Sequence, residues 1–466
     1  MKKNKYLQLF KDIIVFSLGS FGSKLILFLM VPLYTNYLTA EEYGTTELIF
    51  TFMQLVVPFA SLVIYDAVLR FGLSKENIKE DVLKNGLFVI SIGTLVTIVL
   101  VPIIGFYDEL SVWKLHLGLF VVLSMYLSLF QNYLKVKERN IQFAIVSIIQ
   151  TISLATLNIL FLAYRNLGVL GYITSNLLSY LISILACIFL GDLYKDIKKG
   201  RINYKLLKEM IVFSAPLIFN NISWWIIQSS DKLMISNMIS VGALGIYTVS
   251  TKIPSLINVC TNIFQQAWSI STIKEIESSN DKQFYATVFE MLQTTVFLFS
   301  ILISLFIKPF MSVYVGSSYF GAWIYVPMLI VAAAFGTISA FFGNLYNALK
   351  MSFNSMVSTI FSALINIVLN LILIPKIEIW GAVIGTMVSY FLIMFIRLFD
   401  CQKYLNIPID LKKFIVNSFV VVMLSVIISI GVTPYLPSIA ALLIFSLINR
   451  KVYMNMFYKL KNRKKV

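Results

Sequence analysis

Long apolar runs follow one another along almost the whole chain. A transmembrane helix needs about 20 mostly apolar residues. No stretch of about 50 residues lacks such a run, so the pattern predicts an all-α integral membrane protein without a soluble domain. By run length the sequence predicts about fourteen spans, the last of them short: 13–38, 46–70, 86–107, 115–134, 143–164, 168–190, 211–235, 244–268, 289–309, 323–348, 356–375, 380–399, 414–432 and 436–449.

The composition agrees with a membrane protein. The 466 residues are 59% hydrophobic and 13% charged, whereas soluble domains have about 45–50% apolar and about 25% charged residues. The three cysteines lack CxxC spacing and His116 is the single histidine, so we expect no metal, disulfide framework or other cofactor. The basic segment 1–12 leads into an apolar run too long for a signal peptide, which predicts a retained first helix.

The positive charges are distributed unevenly between alternate loops. One set of loops, which includes both termini, carries 29 of the 38 lysines and arginines, and the opposite set carries four. Because cytoplasmic loops are enriched in these residues, both termini are predicted to be cytoplasmic. This placement also explains the net charge of +16 without a nucleic acid partner. Arg397 lies at a cytoplasmic helix end, where we expect its side chain to snorkel to the interface.

The chain contains an internal duplication. The tetrapeptide IVFS occurs at 14–17 and again at 211–214, and further matches follow at offsets of up to 212 residues. The sequence therefore predicts two six-helix bundles, 1–200 and 201–400, followed by 401–466 with two appended helices and a basic cytoplasmic tail. Six spans per bundle give parallel repeats, and a substrate cavity is expected between them.

Two lysines lie near the centres of apolar spans. Lys24 is inside 13–38 and Lys252 is inside 244–268. A cation at the bilayer midplane costs at least about 2.5–3.5 kcal/mol, so such residues normally face a polar cavity. They predict a cavity that accepts an anionic substrate.

Polar residues on single helical faces extend this predicted cavity. The second and eighth spans carry such faces at equivalent places in the duplication, and the alternative is that these residues only bond helices together. Arg70 and Lys232 lie near span ends, where either snorkelling or a cavity role fits, and Asp66 could pair with Arg70 at i, i+4. The candidate substrate-binding residues are Lys24, Lys252, Arg70, Lys232, Gln54, Asn221, Ser255 and Asn262, and the candidate coupling or ion-pair carboxylates are Glu47, Asp66 and Asp231.

Several ordered motifs resemble the polysaccharide flippase family, which translocates O-antigen and capsule repeat units. That family belongs to the multidrug/oligosaccharidyl-lipid/polysaccharide exporter (MOP) superfamily. The resemblance covers about the first 400 residues. The motifs are Pro32-Leu33-Tyr34-Thr35 with Leu38-Thr39 and Glu41-Glu42-Tyr43-Gly44, then Ser214-Ala215-Pro216, Asp231-Lys232 and Leu244-Gly245-Ile246-Tyr247 with Lys252-Ile253-Pro254, and finally Asn366, Asn370, Pro375, Gly381-Ala382 and Gly385-Thr386.

The resemblance implies a pair of helical bundles around a central cavity that works by alternating access. It implies an undecaprenyl-pyrophosphate-linked oligosaccharide as the substrate, moved to the outer leaflet of a bacterial cell membrane. A coupling proton or sodium ion and polysaccharide polymerase machinery are expected partners beside the membrane lipids. The alternatives are a cation-coupled multidrug exporter of the same superfamily and, from another class, a membrane-embedded polysaccharide polymerase. An enzyme is disfavoured because the longest outer connection, 310–322, has no ionisable group beyond tyrosines.

The charge asymmetry makes a topology prediction. A reporter fused after Val466 should be active on the cytoplasmic side, because an even number of spans returns the chain to the side on which it began. The measurement is a paired cytoplasmic and external reporter assay in cells. An external signal would contradict the fourteen-span count.

Overall fold

A computed structural model describes residues 25–74, 76–104, 108–278, 282–349 and 351–462, which form helices joined by short turns. A helix satisfies its own backbone hydrogen bonds, as a chain in lipid requires. A 3₁₀ helix covers Ser317–Ile324 and a π-helical turn over Ile159–Tyr164 continues α7. The α-helices are α1 (Val31–Tyr37), α2 (Ala40–Ser61), α3 (Ile64–Gly72), α4 (Lys79–Ile104), α5 (Asp108–Ser111), α6 (Lys114–Val136), α7 (Asn140–Asn158), α8 (Gly168–Leu190), α9 (Leu193–Lys199), α10 (Tyr204–Met238), α11 (Val241–Ser278), α12 (Lys282–Tyr314), α13 (Val326–Ala348), α14 (Ser352–Ile377), α15 (Ile379–Leu405), α16 (Leu411–Ser429) and α17 (Tyr435–Asn462).

The described helices account for most of the predicted spans. Ten of them are long and apolar enough to cross a membrane, and the number rises to twelve when two bent spans, α2 with α3 and the two parts of α10, are each counted as one. The short last run proves to be part of a 20-residue span, Tyr435–Met454. The predicted span 244–268 lies within the more polar helix α11, and the first part of the predicted span 13–38, residues 13–24, lies outside the described residues. The prediction of an all-α multi-pass membrane protein is confirmed.

The chain divides into two compact units, 1–236 and 237–466. Helix α10 therefore belongs almost entirely to the first unit, although the sequence repeat begins near residue 201. The predicted bundles 1–200 and 201–400 remain a prediction, because a repeat boundary and a boundary of packing need not coincide.

The first family motif forms the start of α2. The Thr39 side chain accepts a hydrogen bond from the Glu42 backbone N–H (3.2 Å), and Glu42 Oε2 accepts one from the Thr39 N–H (2.8 Å). This capping box satisfies backbone donors that would otherwise lack partners at the helix end. Tyr34 and Tyr43 pack with Tyr172 of α8 at ring distances of 4.9 and 6.4 Å. The motif thus fixes where α2 begins and which helix it meets.

The last family motif forms the close contact between α14 and α15. A Cβ atom on Gly385 would overlap the side-chain oxygen of Asn370. The side-chain amide of Asn370 donates to the Asn366 oxygen at 3.1 Å. Small residues allow helix backbones to approach closely in membranes, and here the glycine makes room for a buried amide.

The same tyrosine–aspartate contact occurs in both units. In the first, the hydroxyl of Tyr133 donates to Asp196 at 3.3 Å, and Lys137 forms an ion pair with the same carboxylate at 2.6 Å. In the second, the hydroxyl of Tyr346 donates to Asp400 at 2.9 Å. Each contact joins the C-terminal end of one long helix to a later helix of the same unit.

The expectation that Arg397 snorkels to the interface is wrong. The residue is 8% exposed and lies among α13, α14 and α15. Its guanidinium donates to the side chains of Ser358 (3.1 Å) and Thr359 (2.8 Å), and more weakly to Ser339 (3.3 Å). A Cβ on Gly343 would come within 2.8 Å of Nη1. Neutral oxygens therefore replace water around this cation, which is why it can remain inside.

Gly381 gives a test of the packing between α14 and α15. A Cβ at this position would overlap the backbone of Leu373 and Ile374, which cannot move aside as a side chain can. Gly381→Ala should lower the stability of the purified protein by about 1–3 kcal/mol, measured as thermal unfolding in detergent. Gly321→Ala is the control because a Cβ there meets nothing within 4 Å. Equal stability of the two variants would contradict this packing.

Candidate functional site

A polar cavity in the first unit lies among α2, α3, α6 and α10, and we call it the α2–α10 cavity. Its volume is about 260 Å³. It brings together Gln54 and Asn221, which the sequence had predicted to share a cavity. Its walls are Met53, Gln54, Val57, Pro58, Tyr65, Ser124, Asn221, Trp225, Gln228 and Ser229.

The walls combine amides and hydroxyls with an aromatic ring. Gln54 and Gln228 are exposed and Asn221 is half-buried. Amides can donate and accept at once, and an indole offers an apolar face beside them. This set of groups suits a ligand with many hydroxyls and apolar C–H faces, such as a sugar.

The first wall of the cavity is formed where a span breaks. Helices α2 and α3 meet at 55°, and the two residues between them, Leu62 and Val63, have φ values of 50° and 51°. Left-handed φ is costly for a β-branched residue. The Val63 N–H donates to Ser61 Oγ at 3.1 Å, which replaces part of the lost helical bonding. Pro58 and Tyr65, on either side of the break, both line the cavity.

The second wall is also bent. The two parts of α10, Tyr204–Ser223 and Gln228–Met238, meet at 55°. Non-helical backbone within a membrane is tolerated where it is buried in protein or lines a polar cavity. Bends in both walls are therefore what we expect around a polar cavity within the membrane.

The two walls are joined by a hydrogen bond from a side chain to a backbone. Trp225 Nε1 donates to the backbone oxygen of Thr51 at 3.0 Å. Thr51 is four residues after Glu47, so the two lie on one face of α2, and Trp225 lies at the bend of α10, seven residues before Lys232. The bond fixes the register of α2 against α10.

An ion pair between Glu47 and Lys232 also joins α2 to α10, beyond the residues that line the cavity. Lys232 Nζ is 2.5 Å from Glu47 Oε1, and the two side chains are 19% and 13% exposed. Both residues were predicted as site residues, but not as partners. The pair lies about one turn beyond Gln228 on α10 and about two turns before Gln54 on α2, outside the set of residues that line the cavity.

Asp231 adds a second carboxylate near the lysine. Its Oδ1 accepts a hydrogen bond from the Lys232 backbone N–H at 2.9 Å, and the residue is 8% exposed. The charge of Asp231 also acts on the Lys232 ammonium. One cation thus lies between two acidic side chains.

The remaining predicted site residues of the first unit lie elsewhere on α3. Asp66 and Arg70 do not form an ion pair within the described residues, and the charge acting on Asp66 is that of Lys135 on α6. Arg70 is exposed in the last turn of α3. Helical spacing permitted the pair, but the side chain of Asp66 lies nearer another helix. Lys24 lies outside the described residues.

Three predicted residues lie on α11 in the second unit. Lys252 is half-buried, whereas Ser255 and Asn262 are exposed. Ser255 Oγ donates to the backbone oxygen of Lys252 at 2.6 Å. Part of this face of α11 is therefore exposed, and its role in a substrate cavity stays a prediction.

A different face of α11 holds it to α13. Thr261 and Thr337 share a hydrogen bond of 2.8 Å, Asn344 donates to Gln265, and Trp268 Nε1 donates to the Phe341 backbone at 3.2 Å. These contacts are structural, as polar contacts between membrane helices often are.

Some cavity residues were missed in the sequence. Trp225 follows Asn221 at i+4, and that spacing was the available signal. Tyr65 was not among the predicted site residues, and Ser124 on α6 gave no signal. Among the described residues, no three His, Cys, Asp or Glu side chains could together hold a metal ion.

The described helices define an all-α, multi-pass membrane protein. The chain is similar to the inward closed conformation of the lipid II flippase MurJ (TM-score 0.70, 16% identity, 94% of this chain and 100% of that one). It is also similar to an inward-facing multidrug resistance MATE family transporter of the MOP superfamily (TM-score 0.69, 14% identity, 82% and 94%).

Residues 9–270, more than half of the chain, match the family described as polysaccharide biosynthesis protein. The protein belongs to this family, which confirms the resemblance seen in the motifs. A protein of the Lsg locus of Haemophilus influenzae is 22% identical over 266 residues, or 56% of this chain. The match spans 65% of that relative's length.

The ion pair makes a stability prediction. Lys232→Met removes the cation beside Glu47 and should cost about 3 kcal/mol, because a largely buried carboxylate then loses its partner. The double variant Glu47→Gln, Lys232→Met should recover most of that loss, as measured by thermal unfolding in detergent. Lys403→Met is the control because Lys403 is 74% exposed beside Asp400. A double variant no more stable than the single one would contradict this account of the pair.

Proposed function

We propose that this protein is an alternating-access flippase that moves lipid-linked oligosaccharides from the cytoplasmic to the outer leaflet for cell-surface polysaccharide synthesis. The observation that carries the proposal is the α2–α10 cavity with its sugar-type polar groups, and a lysine held by a carboxylate lies about one turn further along α10. Membership of the polysaccharide biosynthesis protein family supports it.

The substrate we propose is a glycan repeat unit linked to undecaprenyl pyrophosphate. Its sugar hydroxyls need donors and acceptors in place of water, and Gln54, Asn221 and Gln228 supply both. The prenyl tail can stay in lipid because hydrocarbon gains little by leaving it. Only the glycan and its headgroup then need a polar route.

The headgroup carries negative charge through a medium of low dielectric constant. Unpaired, such a charge costs several kcal/mol, which a nearby cation offsets. We assign this role to Lys232, together with Lys24, Lys252 and Arg70. Ser255 and Asn262 on the exposed face of α11 are proposed to contact the glycan.

Glu47, Asp66 and Asp231 are the residues proposed to carry a coupling proton or sodium ion. Each is an acidic side chain in or near a span, and each has a positively charged side chain nearby. Protonation of the carboxylate, or binding of another cation to it, would weaken its attraction to that side chain.

The proposed setting is a bacterial inner membrane with both termini cytoplasmic. A flippase needs no bond-making chemistry, so we propose a transporter rather than an enzyme, without a cofactor and without a nucleic acid partner. A polysaccharide polymerase on the outer side would consume the translocated repeat unit.

A cation-coupled multidrug exporter is the alternative function. It is favoured by the two carboxylates of Glu47 and Asp231 near one lysine, since acidic groups attract cationic drugs. The fold, shared with a MATE family transporter, is compatible with both functions. The cargo assay below distinguishes them.

Purified protein in vesicles should translocate a fluorescent prenyl-pyrophosphate oligosaccharide. Lys24→Ala, Lys252→Ala and Lys232→Ala should each slow translocation by about tenfold or more. Each removes a positive charge that is proposed to offset the negative charge of the headgroup. The measurement is the loss of outer-leaflet fluorescence on adding a membrane-impermeant quencher.

Lys403→Ala is the matched control because it removes an exposed lysine from the same chain. Wild-type rates in all three test variants would end the cationic-cavity mechanism. Transport of a cationic dye without transport of the oligosaccharide would favour the multidrug exporter.

A further inference from the structure

A second cavity lies at one end of the second unit, among α13, α14 and α15, and we call it the α13–α15 cavity. Its volume is about 480 Å³. It lies where α13 and α15 end and α14 begins, which is the end of these spans predicted to be cytoplasmic. Six of its lining residues carry the argument below, and they are Tyr346, Asn354, Phe361, Ile396, Phe399 and Asp400.

The lining of this cavity changes from polar to apolar along the spans. Asn354 lies in the first turn of α14 and Asp400 lies near the end of α15. At 1.5 Å per residue, Phe361 is about 10 Å further into the span than Asn354, and Ile396 is about 6 Å further in than Asp400. The rings of Phe361 and Phe399 are exposed, so they offer an apolar surface beside the polar end. A phospholipid presents the same order of groups, a polar headgroup at the interface and acyl chains further in.

The carboxylate of Asp400 has acceptor capacity left for a ligand. Its Oδ2 accepts hydrogen bonds from the Tyr346 hydroxyl and the Asn354 amide, both at 2.9 Å, and these neutral donors fix its position without neutralising it. Among the described residues its ion-pair partner is Lys403, whose Nζ is 3.6 Å from Oδ1. That distance is too long for a hydrogen bond, and an ion pair with a lysine that is 74% exposed contributes little.

The equivalent contact in the first unit shows which group completes such a carboxylate. There the hydroxyl of Tyr133 donates to Asp196, and the ammonium of Lys137, four residues after the tyrosine, donates to the same oxygen at 2.6 Å. In the second unit Lys350 follows Tyr346 by four residues, but it lies outside the described residues. The chemistry that suits this arrangement of tyrosine and aspartate is therefore a primary ammonium.

We propose that the α13–α15 cavity binds a phospholipid whose headgroup carries a primary ammonium, with the ammonium on Asp400 and an acyl chain along Phe361 and Phe399. An ammonium brings three N–H donors to the carboxylate, whereas the methylated nitrogen of choline brings none. A net anionic headgroup would place like charge beside Asp400. This lipid is distinct from the proposed cargo, since the cavity belongs to the second unit and shares no residue with the α2–α10 cavity.

The test is lipid binding to the purified, delipidated protein, measured by native mass spectrometry. The probes are phosphatidylethanolamine, phosphatidylcholine and phosphatidylglycerol with identical acyl chains. The wild type should bind phosphatidylethanolamine about tenfold more tightly than either other lipid, the factor expected from one hydrogen bond between charged groups. Asp400→Asn keeps an oxygen for Tyr346 but removes the charge, and it should abolish this preference.

Asp192→Asn is the matched control because it makes the same change at another partly exposed aspartate, on the predicted cytoplasmic side of the first unit. It should keep the preference of the wild type. Equal affinity of the wild type for the three lipids, or a preference that persists in Asp400→Asn, would overturn the proposal.

Lys350→Ala distinguishes a lipid from the chain's own lysine as the partner of Asp400. If the lipid is the partner, the wild type and Lys350→Ala should both prefer phosphatidylethanolamine. A preference seen only in Lys350→Ala would show that this lysine occupies the site, and would overturn the proposal.

A series of methylated headgroups tests the same contact without a substitution, and it decides the matter if Asp400→Asn fails to fold. The affinity of the wild type should fall stepwise from phosphatidylethanolamine through its N-methyl and N,N-dimethyl forms to phosphatidylcholine, because each step removes one N–H donor. An affinity that stays constant along the series would contradict a hydrogen-bonded ammonium.

Discussion

The cost of an unsatisfied polar group in a medium of low dielectric constant controls this structure. Apolar side chains gain little from one another in lipid, so the polar groups decide which helices meet. The amides of Asn417 on α16 and Asn449 on α17 exchange hydrogen bonds of 3.2 and 3.0 Å. Glu47 with Lys232, and Arg397 with its serine and threonine oxygens, follow the same rule. Each of these contacts joins two or more helices.

The same rule makes the α2–α10 cavity unusual within its unit. The pairs above bring polar groups into contact with one another, whereas here amides, hydroxyls and an indole line about 260 Å³. The fold is shared with proteins of different cargo, a lipid II flippase and multidrug transporters. The cargo must therefore be argued from the site and not from the fold. In this chain the arguments are the hydrogen-bonding walls and the lysine about one turn beyond them.

The helices could be predicted from sequence because apolar run length directly reflects bilayer thickness. The glycine and asparagine motifs could be recognised, but their roles depend on close backbone approach, which a sequence does not contain. The Glu47–Lys232 pair could not be predicted, because the partners are 185 residues apart. Residue spacing alone suggested an ion pair between Asp66 and Arg70 on the same helix. In the structure, the charge that acts on Asp66 is that of Lys135 on α6. Burial of Arg397 was missed because its partners are ordinary hydroxyls and carbonyls, which carry no distinctive signal.

The surroundings of Arg397 limit how the second unit can move. An arginine does not lose its proton in a protein, so no change of pH can release this charge. If α13, α14 and α15 separated, the guanidinium would lose its oxygens and face hydrocarbon. These three helices must therefore travel as one block through any cycle of conformational change. The deformation that such a cycle requires must therefore occur in other helices. The bend between α2 and α3 and the bend within α10 are the places where we expect it.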